Sequence, residues 1–176
     1  MKTLNAINKT FNVFRIITKV LMILSFVAAV IELVGGILLT AVMNSTYSID
    51  LSMFMEISEG ADLKYLSTKM FIDVICSATE GIQLLLATRY FTSELADGTP
   101  FTSDGAKQVR TLGILTIVLP NAAELISLAV HYFTGYGDNN VNYNGYLILG
   151  IVLILISLIL QHGAEIQSEN REETEI

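Results

Sequence analysis

Apolar and polar positions divide the chain into four long blocks. Apolar runs cover 20–43, 70–91, 112–133 and 146–160, each bounded by polar residues. A helix needs about 20 residues to cross a hydrocarbon core, whereas the cores of cleaved signal peptides run to roughly 7 to 15. The first block is therefore read as an anchor. The pattern predicts an all-α, polytopic membrane protein, a four-transmembrane-helix bundle forming a single membrane domain over 1–176. Within the first block Ser25, Ala29, Glu32, Gly36 and Thr40 recur every three or four residues, so one helical face is small and polar and should meet other helices. Asp73, Ser77, Glu80 and Gln83 draw a similar stripe along the second block, and Glu124, Ser127 and His131 along the third. The fourth carries Ser157 in an otherwise apolar run and is expected to face lipid broadly.

The segments between the blocks refine this layout. Residues 1–19 hold Lys2, Lys9, Arg15 and Lys19, with Leu4, Ile7, Phe11 and Phe14 at helical spacing. They form a basic amphipathic flank that either lies in the headgroup layer or simply fixes orientation. Residues 44–68 are polar and acidic, with room for a short helix of their own. Gly98 and Pro100 force a turn, after which Thr102 or Ser103 can cap the next helix. The stretch from Pro100 to Arg110 is expected to be an amphipathic cytoplasmic connector, with Phe101, Val109 and Leu112 turned inward. Pro120 should kink the third span, with Asn121 or a water serving the carbonyl it frees. Residues 161–176 make an acidic cytoplasmic tail. Lys2, Lys9, Arg15, Lys19, Arg89, Lys107, Arg110 and Arg171 fall on one side, against Lys64 and Lys69 on the other. That bias places both termini in the cytoplasm and the chain as a multi-pass protein of the cell membrane.

Composition agrees with the pattern and excludes some functions. Of 176 residues, 52% are hydrophobic and 15% charged, with a mean hydropathy of +0.58, outside the usual range for a soluble domain. A net charge of -7 and a pI near 4.7 exclude direct nucleic-acid binding, which needs a basic face. Cys76 is the single cysteine, so no internal disulfide can form and a packing role is expected.

The chemistry that stands out is acidic and lies within the spans. Glu32, Glu80 and Glu124 sit near the middle of three blocks, with Asp73 on the same face of the second as Glu80. A charge at a helix centre costs roughly 2.5 to 3.5 kcal/mol on the insertion scale, so these groups must face inward, be neutral, or both. They are expected to approach one another and bind a proton, a cation or a small cationic ligand. Ser25, Ser77, Gln83, Asn121, Ser127 and His131 are the supporting polar residues. No metal-ligand spacing is recognisable, which leaves a metal role undefined, and no cofactor is expected. Neither a nucleophile turn, a HExxH helix nor a Gly-rich phosphate loop is present, so enzyme chemistry is not indicated. Two other readings compete. The acids, protonated, can serve only to bond the helices of a structural or regulatory interaction protein, or the chain can be a small solute or ion transporter. The bilayer is the first partner, and a cytoplasmic regulatory protein and a homo-oligomer stay open.

Tyr90 to Leu119, YFTSELADGTPFTSDGAKQVRTLGILTIVL, with its GTPFT turn, and the later GAEIQSEN, Gly163 to Asn170, carry a family likeness. On these residues the chain resembles a family of uncharacterised bacterial four-helix integral membrane proteins, a domain of unknown function. The resemblance implies a four-span fold and, because such proteins are often encoded beside small helix-turn-helix regulators, a regulatory setting. It brings no catalytic residue with it. Gly105 departs from the family pattern, which has a larger polar residue at that point.

Overall fold

The computed structural model describes residues 2–44, 62–97, 102–136 and 144–174. They form four helices, α1 (Lys2–Asn44), α2 (Leu63–Asp97), α3 (Ser103–Thr134) and α4 (Asn144–Thr174), and the described residues contain no strand. All four are long and apolar enough to cross a membrane. The expected all-α four-helix architecture is what the chain adopts.

Local chemistry sets the helix ends. Asp62 precedes α2, and its Oδ1 accepts from the backbone N–H of Lys64 at 2.9 Å. Thr102 caps α3 in an extended conformation, and its hydroxyl oxygen accepts from the Gly105 N–H at 2.9 Å. Both satisfy donors that a helix start leaves without intrahelical partners. At its other end α3 stops at Gly135, whose φ of 73° lies in the left-handed region, and the Gly135 N–H donates to the His131 carbonyl at 2.8 Å. Glycine meets that geometry without a Cβ clash.

The basic flank and the first span are one continuous helix of 43 residues. Nothing between Lys2 and Val34 breaks it, since the first glycine is Gly35 and no proline precedes it. At 1.5 Å per residue this helix is roughly 65 Å long, more than a whole bilayer with its headgroups, so part of it stands in water. The amphipathic connector is likewise continuous with the third span. From Ser103 its residues are the first turns of α3, with Val109 buried and Lys107 and Arg110 exposed. Phe101, most of the 44–68 segment and most of the loop before α4 lie outside the described residues.

The helices associate as two antiparallel hairpins, α1 with α2 and α3 with α4, joined along α2 and α3. No close backbone approach links α1 to α3 or α4, or α2 to α4, among the described residues. The outward faces are apolar, with Ile31 64% and Ile159 67% exposed, whereas the buried positions are mostly small, such as Ala29, Ala106 and Ala123. That inversion of a soluble protein suits lipid as the surrounding solvent, because only small residues let membrane helices approach closely.

Candidate functional site

The four acids of the spans lie around the part of α2 that carries Cys76. Asp73, Glu80, Glu32 and Glu124 are all close enough to act electrostatically on its sulfur. They come from three helices, and the structure treats them differently.

Glu32 belongs to the α1–α2 seam. The Ser77 hydroxyl lies 2.8 Å from its Oε2 and 3.1 Å from its Oε1, so a single donor on α2 serves the carboxylate. The spacing that set Glu32 on the polar face of α1 and Ser77 on the stripe of α2 brings them together halfway along the hairpin. Asp73 lies one turn from Ser77, half-buried.

Glu80 and Glu124 face a different space. With Cys76, Gln83, Pro120 and Tyr146 they line a cavity of about 70 Å³ where α2 meets α3 and the start of α4. Glu80 is exposed, whereas Oε2 of Glu124 is buried and has no hydrogen-bond partner among the described residues. The side-chain nitrogen of Gln83 is buried and unpartnered in the same way. A donor and an acceptor left open around one cavity is unusual, since the great majority of buried polar atoms are paired. The volume would take about two waters at some 30 Å³ each, or one small ion with a water.

The remaining predicted residues do not join this cavity. Asn121 turns back along α3 and donates from Nδ2 to the Ile117 carbonyl. This is the carbonyl beside the one that Pro120 leaves without its usual donor, so Asn121 relieves the neighbourhood of the proline rather than the freed group. His131 is half-buried two turns beyond Glu124 on the same helix, and its carbonyl closes the C-cap. The hydroxyls of Ser25 and Ser127 make no hydrogen bond with other described residues. No group of three or more His, Cys, Asp or Glu side chains among the described residues is placed to hold a metal ion.

A fifth carboxylate, absent from the sequence-based set, lies at the junction of the hairpins. Glu94 near the end of α2 is 1% exposed, and its Oε1 accepts from the Thr102 hydroxyl at 3.1 Å. Thr102 in turn caps α3, so a carboxylate sits where the α3 backbone dipole favours negative charge. A Cβ on Gly105 would collide with the Glu94 carboxylate. That collision explains why a glycine stands at this point of the first turn. The signal was present in the sequence as a glycine three residues after a capping threonine, but it points to Glu94 only once the turn has folded.

The chain matches no family model, no curated protein and no solved structure.

Proposed function

We propose that this protein is a membrane receptor for a proton or a small singly charged cation, bound between α2 and α3 by Glu80 and Glu124. The observation that carries the reading is the pair of buried, unpartnered atoms, Glu124 Oε2 and Gln83 Nε2, around a cavity that Glu80 also lines. A proton on Glu124 would turn its open oxygen into a donor for a neighbouring acceptor, and a small cation would find carboxylate oxygens there with space for a water. Glu80, being exposed, is the entry side. Because α2 and α3 also meet at Glu94 and Thr102, a change in their separation at the cavity reaches the α2–α3 turn, where a cytoplasmic regulator would sense it. The role is non-enzymatic. Glu32 acts separately, because its bond to Ser77 favours the structural reading for that one acid.

Cys76 supplies a test, since it lines the cavity and is the only thiol in the chain. At fixed pH, sodium or potassium that enters the site should change the rate at which a small thiol reagent modifies Cys76 in the detergent-solubilised protein, by shielding the sulfur or by offsetting the carboxylates that disfavour its thiolate. If a proton is the ligand, the labelling rate should depart from simple thiol titration. Both effects should vanish in Glu124→Gln and weaken in Glu80→Gln, with helical content unchanged. A Glu124→Gln protein whose Cys76 still responds like the parent would refute the site.

Orientation follows from charge. We infer that both termini and the α2–α3 turn are cytoplasmic, because eight of the ten basic residues flank the spans on that side. Reaction of a cysteine placed at Ser103 with an impermeant reagent outside intact cells would reverse the assignment.

A further inference from the structure

On the side of the molecule that carries both chain ends, an open groove of about 680 Å³ runs along the junction of α2 and α3. Leu86 and Ala96 mark its extent on α2, about 15 Å apart at the helical rise. Leu86 belongs to the second apolar segment, whereas Ala96 lies beyond Tyr90 and Phe91, aromatic residues of the kind that settle at the membrane interface. The groove therefore begins at acyl-chain depth and opens in the headgroup layer.

Among the described residues its polar lining is rich in donors and holds no Asp or Glu. Arg89 offers a guanidinium, Lys107 an ammonium, Gln108 an amide and Ser93 a hydroxyl. The side chains of Arg89, Ser93 and Gln108 make no hydrogen bond or ion pair with other described residues. Lys107 meets Asp104 at 3.2 Å, in an exposed pair of the kind that contributes little in water. Thr92 and Thr111 contribute less, because their hydroxyls already donate to the carbonyls of Thr88 and Lys107 at 2.7 and 2.9 Å. Two cations, one of them in an exposed pair with Asp104, and two neutral donors make a field for an anion, and a guanidinium suits phosphate oxygens in particular.

We propose that this groove binds the phosphate headgroup of an anionic phospholipid, with Arg89 and Lys107 on the phosphate and an acyl chain running past Leu86. A soluble phosphate compound would share the headgroup contacts but not the apolar end. The lipid is favoured because the groove continues into the apolar segment, and because cytoplasmic leaflets are rich in anionic headgroups. The site stands apart from the Glu80 and Glu124 cavity, shares no lining residue with it among the described residues, and survives if that cavity proves empty.

The test is lipid retention by the full-length chain, stripped in detergent and exchanged into micelles doped with phosphatidylglycerol or phosphatidylcholine, read by native mass spectrometry. The protein should retain phosphatidylglycerol in preference. Arg89→Gln and Lys107→Gln should each lower that preference about fivefold, while Arg89→Lys and Lys107→Arg keep most of it and show that the fold is intact. Arg110→Gln, on α3 but outside the groove, should leave it unchanged. An equal loss in Arg110→Gln would mean diffuse surface charge and overturn the site, as would full preference in the Arg89→Gln, Lys107→Gln double variant. Release of the lipid by millimolar inorganic phosphate would assign the groove to a soluble anion and overturn the lipid.

Discussion

The two hairpins hold together by different means. Between α1 and α2, polar bonds recur along the seam: Thr88 donates to Thr18 at 3.0 Å, Ser77 to Glu32 in the middle, and the Thr40 and Ser67 hydroxyls bond at 2.9 Å towards the far end. Phe11 and Phe14 add a cluster with Tyr90 and Phe91 near the chain terminus. Between α3 and α4, shape matters most. Gly113 and Gly150 face each other so closely that a Cβ on Gly113 would stand 2.9 Å from the Gly150 carbonyl oxygen and 3.0 Å from the Ile154 backbone nitrogen. In lipid no hydrophobic drive pulls apolar helices together, so association rests on close packing and on hydrogen bonds. Each hairpin relies mainly on one of the two. The junction of α2 and α3 is the looser seam, and both the acidic cavity and the donor-rich groove lie along it.

The largest expected effect comes from breaking the glycine pair. In Gly113→Val the added methyls meet backbone atoms, which cannot turn aside as a side chain can. Overpacking of this kind costs about 3 kcal/mol, at the upper end of the range for small-to-large changes. Unfolding of the detergent-solubilised protein in a denaturing-detergent titration should show that loss. A cost below about 1 kcal/mol, the lower end of the same range, would mean that the α3–α4 seam is not set by backbone approach.

The contrast between the hairpins was only half legible in the sequence. Glu32 and Ser77 stood on polar helical faces defined by spacing alone. Gly113 and Gly150 gave no such sign, because a single glycine in an apolar helix reads the same whether it meets another backbone or open lipid. The flank of 1–19 was recognisable as a helix, but whether it bends into the headgroup layer depends on a breaker that the sequence lacks before Gly35. Midspan acids were visible as a set. Their division into a bonded Glu32 and an open Glu124 was not, since it depends on which helix supplies the donor. Glu94 and the facing donors of the groove were hidden for a related reason: a turn must fold before residues 86–96 and 107–111 become neighbours.

A smaller effect should follow from removing a bond in the α1–α2 seam. Ser77→Ala deletes the donor to Glu32, and interhelical hydrogen bonds in membranes average about 0.6 kcal/mol with a maximum near 1.7. The cost should fall in that interval. A double-mutant cycle with Glu32→Gln isolates the pair. Coupling of about zero would show that Glu32 finds another partner, and would return it to the group of acids available for binding.

The smallest effect is expected where a glycine meets a ring instead of a backbone. Gly36 lies on the polar face of α1, and a Cβ built there would stand 3.2 Å from Cζ of Phe71 and 3.3 Å from its Cε1. Both atoms belong to the outer end of a side chain that is itself 39% exposed. The ring can swing a few tenths of an ångström towards lipid, unlike the carbonyl that confronts Gly113. Against that small displacement stands the gain in helix propensity of alanine over glycine, about 0.8 to 1.0 kcal/mol in a helix interior. One complication is the Ser67 hydroxyl, which approaches the Gly36 carbonyl at 3.4 Å, while Thr40 donates to the same oxygen at 2.8 Å. Neither bond involves the Cα substituent, so both should survive. Gly36→Ala is therefore expected to leave stability within about 0.5 kcal/mol of the parent, measured in the same titration as Gly113→Val. A loss comparable to that of Gly113→Val would show that the Phe71 ring is fixed, and that the α1–α2 seam is as intolerant of added volume as its counterpart.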